Sequence, residues 1–242
     1  MRRLIIALLL ALMLPGQGWA DVAWVSNIDN NAGAVTTLTL ANVVGSGGNA
    51  VIACFTWRKS ASQVMTGVTY GGAAMTQISS EVSIGGGALA CWRYWSPSGT
   101  ADVVGTWNAA PGSVQGTALV FSGVDVAGTP LGTVDTDICA SIPCTAITSS
   151  VSLGSGGMGV DVIFVRGSAS RASIATTGGN TQRSTRDAAS SLYHRTSTEA
   201  VGGDGTMSWS WTTGDNAGQM AIPVNAAPAT EQTFGFRLRL TQ

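Results

Sequence analysis

The feature that most limits how this chain can fold is the regular interruption of short β-prone runs by clusters of glycine and other turn-forming residues. Such clusters lie at 45–49, 85–87, 154–157 and 202–205. After the first 20 residues, no stretch keeps the helical period of about 3.6 residues. The predicted strands are 22–25, 34–40, 50–57, 67–70, 88–95, 101–107, 118–121, 159–165, 191–195, 206–211 and 220–224.

Many short strands with evenly spaced turns are typical of sandwiches and barrels. We therefore expect an all-β fold, a two-sheet antiparallel β-sandwich that is jelly-roll-like, over residues 21–224. A possible internal pseudo-repeat agrees with this fold, because four local patterns recur at a nearly constant spacing (58 to 166, 71 to 178, 77 to 182 and 107 to 209). Chance similarity between strands rich in glycine and threonine is the alternative explanation.

The N-terminus has the three parts of a secretory signal. Arg2 and Arg3 precede an apolar run of 11 residues, 4–14, and small residues at Gly18 and Ala20 form a cleavage site. A membrane anchor is the alternative, but a spanning helix needs about 20 apolar residues. The sequence therefore predicts a signal peptide over residues 1–20 and a secreted protein, extracellular or periplasmic.

Charge excludes two classes of partner. The chain carries 12 basic and 13 acidic residues, and only 10% of its residues are charged. A protein that binds nucleic acid or anionic lipid normally shows a basic patch. We therefore expect no nucleic-acid partner. No apolar stretch after the signal peptide is long enough to span a membrane.

Four cysteines follow the predicted cleavage site, and an even count in an oxidising compartment favours disulfides. Cys139 and Cys144 enclose a short loop, so we pair them. Cys54 and Cys91 then pair by elimination, although each lies in an apolar strand and could be a buried free thiol. The chain has no CxxC motif, and its one histidine lies far from all four cysteines, so a zinc site is not expected.

The C-terminal segment, 225–242, differs from the rest of the chain. Residues 225–230 form a predicted linker, and 234–240 alternates apolar residues with Arg237 and Arg239. This pattern predicts a half-buried strand with a basic outer face. The strand could close its own sheet or extend a neighbour's sheet through residues 231–242. The intramolecular arrangement is preferred, because consecutive elements usually pair within a domain.

Catalytic chemistry has little support in the sequence. His194 is the only histidine, no G-x-S-x-G motif supplies an activated serine, and the ten aspartates and three glutamates are scattered singly. His194 is expected to be a surface or hydrogen-bonded residue. We predict that the protein is not an enzyme and needs no cofactor; a glycan-active hydrolase is the unfavoured alternative.

Three aspartates resemble ligands of a calcium site. Asp125, Asp135 and Asp137 could supply oxygen atoms from the loops of an extracellular sandwich. They lack the glycine and the terminal glutamate of a complete calcium loop. Turn formation explains the same residues, so a metal site is not predicted.

Aromatic residues are the best candidates for ligand contact. Trp209 and Trp211 project from one face of a strand, where they could form a platform for sugar rings or part of the core; core is preferred. In 92–95 both faces of the strand carry an aromatic residue, so at least one ring is expected outside the core. Tyr94 and Trp95 are therefore the better candidates for an exposed binding contact.

Several segments resemble a widespread group of uncharacterised bacterial extracellular and phage-associated β-sandwich domains. These are 68–77 (VTYGGAAMTQ), 91–97 (CWRYWSP) and 118–125 (ALVFSGVD), with 181–183 (TQR) and 207–211 (MSWSW) similar to the group's second half. The resemblance implies a sandwich fold and an extracellular setting. It implies no catalytic residues. The cysteine loop and the C-terminal segment look like additions to the group's pattern.

Together these features favour a secreted, non-enzymatic β-sandwich that serves as an extracellular binding or surface module, with carbohydrate or another cell-surface component as a possible ligand. The first alternative is a structural subunit of an extracellular filament or virion, assembled through the C-terminal strand. The second alternative is a glycan hydrolase.

Signal cleavage can be tested directly. We expect the exported protein to begin at Asp21, because Gly18 and Ala20 place small residues where signal peptidase requires them. Intact-mass measurement of the protein recovered after export checks this. Ala20→Tyr should block cleavage and serves as the control, and an exported wild-type protein that retains residues 1–20 would contradict the assignment.

Overall fold

A computed structural model describes residues 20–60, 62–140, 143–167, 173–188 and 192–228. The chain is all-β and its strand pairings are antiparallel, so the predicted fold class is confirmed at that level. The described residues contain no helix that is long and apolar enough to cross a membrane. Nearly all of the predicted signal peptide, and the predicted C-terminal strand, lie outside the described residues.

Eighteen strands form four sheets in the described part of the chain. The strands are β1 (Ala23–Ala32), β2 (Thr37–Val44), β3 (Ala50–Arg58), β4 (Met65–Tyr70), β5 (Ala73–Ala74), β6 (Thr76–Gln77), β7 (Val82–Ile84), β8 (Gly87–Trp95), β9 (Thr100–Trp107), β10 (Val114–Ser122), β11 (Asp135–Cys139), β12 (Ala146–Ser150), β13 (Met158–Arg166), β14 (Ala175–Thr177), β15 (Thr181–Ala188), β16 (Leu192–Glu199), β17 (Thr206–Ser210) and β18 (Asn216–Val224).

The two halves of the chain repeat one strand order. The first inner sheet has the order β1-β10-β3-β8-β6, with β7 also paired to β8, and the first outer sheet has the order β2-β9-β4-β5. The second inner sheet follows as β11-β18-β13-β16-β15, and the second outer sheet as β12-β17-β14. The repeated sequence patterns fall on corresponding strands: Arg58 and Arg166 end β3 and β13, and Trp107 and Trp209 lie on β9 and β17.

A single two-sheet sandwich is not confirmed, because the four sheets are stacked in layers. One apolar core joins the two inner sheets, and includes Ile52 and Leu119 from the first half with Val162 and Ile222 from the second. Separate cores lie between each inner sheet and its outer sheet. The inner sheets are therefore covered on both faces, which explains why their central strands β3 and β13 are buried almost throughout and carry apolar residues on both faces.

Burial along the strands follows this layering. Strand β3 is buried along its whole length apart from Arg58, and β13 apart from Arg166, which is half-buried. The outer strands β2 and β12 instead alternate buried and exposed positions, as expected for a strand with one solvated face.

Both predicted disulfides are confirmed. Cys54 and Cys91 are directly opposite each other on β3 and β8, with Cα atoms 4.1 Å apart, and both side chains lie in the core between the inner sheets. Cys139 and Cys144 are bonded at the end of β11. The alternative of buried free thiols at Cys54 and Cys91 is wrong.

The two disulfides should differ in their contribution to stability. Cys54→Ala/Cys91→Ala opens a loop between cysteines 37 positions apart, against 5 for Cys139→Ala/Cys144→Ala. Loop-closure entropy predicts losses of about 4 and about 2 kcal/mol in the free energy of unfolding. Urea denaturation of both double variants tests this order. A larger loss of stability from the variant that opens the shorter loop would contradict it.

The presence of both disulfides is checked separately, because intact-mass analysis without reductant should find no free thiol in the wild-type protein.

Candidate functional site

The candidate binding residues Tyr94 and Trp95 lie at the end of β8, beside an open stretch of sheet edge. Strand β6 is short and pairs only with Trp92 and Arg93. Beyond Arg93, β8 keeps β3 as its one strand neighbour among the described residues. Tyr94 and Trp95 are half-buried, and so is Arg93. We call Arg93, Tyr94 and Trp95 the β8 aromatic end.

Tyr94 is held in position by a second tyrosine. The ring centroids of Tyr70 and Tyr94 are 5.1 Å apart, and the ring planes are tilted by 31°. Tyr70 is only 4% exposed, and its hydroxyl donates to the carbonyl of Gly99 over 3.1 Å. Because the Tyr70 ring is buried and its hydroxyl is hydrogen-bonded, Tyr70 presents a fixed surface against which Tyr94 packs.

Trp95 projects from the opposite face of β8 and is paired with arginine. The guanidinium carbon of Arg93 lies 5.1 Å from the Trp95 ring centroid, within cation–π range. Arg93 Nε is buried and makes no hydrogen bond within the described residues. Because Tyr94 and Trp95 project from opposite faces, the two rings do not form one flat platform.

Trp209 and Trp211 are core residues, as the preferred interpretation of the sequence predicted. They are 0% and 4% exposed, so the platform alternative for this pair is wrong. Both rings pack between the second inner and second outer sheets. Trp209 Nε1 also donates a hydrogen bond of 2.5 Å to a carboxylate oxygen of Asp161.

Asp161 is a fully buried carboxylate that links three strands to β13. It accepts hydrogen bonds from the Ser197 hydroxyl, from Trp209 Nε1 and from Gln219 Nε2, the last over 2.7 Å. Burial raises its pKa to about 6, against the opposing effect of these three donors. Asp161 has no exposed surface, so its role is to join strands within the second half.

His194 joins the two halves of the protein. Its Nδ1 lies 3.2 Å from the Thr56 hydroxyl and its Nε2 lies 2.8 Å from the Thr117 hydroxyl, across the contact between the inner sheets. Burial lowers its pKa to about 3, with a further contribution from the positive charges of Arg195 and Arg186. The hydrogen-bonded alternative for His194 is confirmed, and at 0% exposure the ring cannot reach a substrate.

A charged seam continues this contact at the edge of the molecule. Asp29 on β1 accepts hydrogen bonds from the Ser184 hydroxyl (3.1 Å) and from Arg186 Nε (2.8 Å). The Arg183 guanidinium carbon lies 4.2 Å from the centroid of the Trp24 ring. Strands β1 and β15 therefore meet through side chains, although they belong to different sheets.

One carboxyl pair lies in the turn between β16 and β17. Burial raises the pKa of Glu199, and the neighbouring charge of Asp204 raises it further. The Asp204 carboxylate accepts a hydrogen bond from the amide of Thr206 over 2.8 Å within the turn. This acidic pair is therefore explained by local turn structure.

The calcium candidates have structural partners. Asp125 accepts from the amides of Gly128 and Thr129, both over 3.0 Å, which closes a turn. Asp135 accepts from the amide of Ser150 over 2.9 Å, and Asp137 from the amide that follows it. In the described ranges no three His, Cys, Asp or Glu side chains converge as a group that could hold a metal ion.

The raised pKa of Asp161 predicts a pH dependence of stability. Because the native carboxyl binds its proton more tightly than the unfolded one, this group contributes most at pH below about 4 and its contribution is lost as pH rises to about 6. Asp161→Asn should remove this dependence. The stability difference between wild type and variant should change between pH 4 and 6, by at most about 1.4 kcal/mol per pH unit, and be constant from pH 7 to 8. Urea denaturation at each pH measures it, and a constant difference throughout would refute the assignment.

No family model, curated protein or solved structure matches this chain. The resemblance to bacterial extracellular and phage-associated domains therefore stays a prediction from the sequence.

Proposed function

We propose that this protein is a secreted, non-enzymatic binding or surface module that contacts a carbohydrate at the β8 aromatic end. The observation that carries the proposal is the placement of two half-buried rings, Tyr94 and Trp95, where β8 extends past its short neighbour β6. Large apolar rings that stay partly in solvent at a rigid sheet edge are suited to ligand contact.

The chemistry of the site supports a sugar as the ligand class. The C–H faces of a sugar ring stack on aromatic side chains, and its hydroxyls need donors and acceptors beside them. Arg93 lies against Trp95 and supplies guanidinium donors. Tyr94 is preorganised by Tyr70, so little side-chain entropy is lost when a ligand binds.

The two buried groups with strongly shifted pKa values, Asp161 and His194, have structural roles. Both are fully buried and hydrogen-bonded to protein side chains. Burial in a structural hydrogen-bond network shifts the pKa of a side chain just as an active site does, and such burial explains both shifts here. The hydrolase alternative therefore gains no support from these two groups.

The proposal includes export and a jelly-roll architecture. The two disulfides agree with folding in an oxidising compartment. Each half of the chain places its last strand between its first and third strands, and its second-to-last strand between its second and fourth, as in β1-β10-β3 and β2-β9-β4. This interleaved order supports two jelly-roll units that are stacked through their inner sheets, in place of the single jelly-roll-like sandwich expected from the sequence.

The carbohydrate site is tested by substitution at its two rings. Trp95→Ala and Tyr94→Ala should each weaken binding to a responding glycan at least tenfold, because stacking area on one ring is lost. A glycan array with the exported protein finds the ligand, and calorimetry measures the change. Val64→Ala, at an exposed apolar residue beside the end of β4 opposite to Tyr70, is the matched control. Unchanged affinity in both ring variants, with their thermal unfolding intact, would refute the site; binding to no glycan would refute the ligand class.

A further inference from the structure

Strand β11 offers an unpaired sheet edge. It is the outermost strand of the second inner sheet and pairs on one side with β18; its other side has no strand partner among the described residues. The amide of Ile138 donates instead to the side chain of the preceding Asp137 over 2.8 Å. Ile138 is also 50% exposed, the most exposed of the large hydrophobic side chains in the described structure. Such an edge is a template for pairing with another strand.

The side chains of β11 restrict which strand can pair there. Asp135 and Asp137 project from one face, while Thr136 and Ile138 project from the other. A second β11 would place like charges side by side, which destabilises a strand pair. A strand that alternates arginines with apolar residues would place opposite charges on one face and apolar contacts on the other.

The segment 234–240 has this complementary pattern. Arg237 and Arg239 alternate with the apolar residues Phe236 and Leu238. In an antiparallel alignment with Arg237 opposite Asp137, Arg239 is opposite Asp135 and Phe236 is opposite Ile138. All three pairs are favourable cross-strand neighbours.

The route of the chain favours a β11 edge on another copy. Val224 pairs with Leu131, and the amide of Asn225 donates to the carbonyl of Pro130 over 3.0 Å, so the chain leaves the described structure beside the segment that leads into β11. Antiparallel pairing of 234–240 with the β11 of its own chain would place residue 235 opposite Cys139, at the far end of that strand. Positions 131 and 139 are separated by about 26 Å of extended chain.

The length of the connecting segment agrees with this choice. Residues 229–235 extend at most about 25 Å. To pair antiparallel with its own β11, the segment would therefore have to run almost fully extended along the whole length of that strand before it turns back. A β11 edge on a second copy does not require this.

From these observations we propose that residues 234–240 of one copy add as an antiparallel strand to the free edge of β11 in a second copy. The donor segment and the acceptor edge are different surfaces, so the contact is heterologous and repeats as a ring or a filament. This assembly does not depend on the carbohydrate site, which lies on the other inner sheet.

Charge exchange between the two surfaces tests the proposal. The exported wild-type protein should associate with increasing concentration in size-exclusion chromatography with light scattering. Arg237→Asp alone and Asp137→Arg alone should each stay monomeric, because each places like charges opposite each other. An equimolar mixture of the two variants should associate again, because each contact then joins opposite charges. Arg58→Asp, at an exposed arginine on β3, is the matched control and should associate like the wild type.

Three results would overturn the proposal. These are a wild-type protein that stays monomeric up to millimolar concentration, association that persists after removal of residues 229–242, and a Phe236→Cys/Ile138→Cys variant whose new disulfide forms within a monomer. Circular dichroism and thermal unfolding establish that each variant is folded. Tyr94→Ala and Trp95→Ala should leave association unchanged, so failure of assembly and failure of carbohydrate binding are distinguishable.

Discussion

Burial of both faces of the two inner sheets is the constraint on which the rest of the structure depends. A strand in such a sheet has no solvated face, so each of its side chains must pack against another layer. The Phe164 ring fills the space above Gly87 and Gly218, where an added Cβ would lie 2.4 and 2.6 Å from ring atoms. Close packing of this kind requires glycine at both positions.

The same constraint determines how polar groups are accommodated in the inner layers. A buried polar group without a partner is destabilising, so each needs partners from a neighbouring strand or sheet. His194 lies between the hydroxyls of Thr56 and Thr117, and Asp161 is surrounded by donors from three strands. These groups have the shifted pKa values that often mark active sites, but here burial in structural contacts is the cause.

Much of the fold could be predicted from local sequence, because period and turn chemistry act over a few residues. The strand type, the pairing of all four cysteines and the corresponding repeats at Arg58 and Arg166 follow from such local features. The number of sheets could not be predicted in this way. It depends on whether an apolar strand is covered on one face or on both, and the local sign is that β3 and β13 carry apolar residues on both of their faces.

The candidate site was predictable to a similar extent. Alternation along β8 places Tyr94 and Trp95 on opposite faces, as the structure has them. The contact of Tyr94 with Tyr70 and the short length of β6 depend on pairings between distant segments. For the same reason, the hydrogen bond between Arg186 and Asp29, which joins the two halves, cannot be predicted from the sequence around either residue.

Because the inner faces of this protein are covered, the surfaces that remain for partners are the outer faces, the strand ends and the sheet edges. The outer strands present alternating polar residues that give little apolar contact area. The end of β8 and the free side of β11 differ from them, since each combines unpaired strand backbone with a partly exposed apolar side chain, Trp95 or Ile138. At β11 the two aspartates exclude a like-charged strand and accept a basic one. Partners are therefore expected to bind at the strand ends and sheet edges that no other layer covers, and the charge pattern at each edge is expected to select the partner.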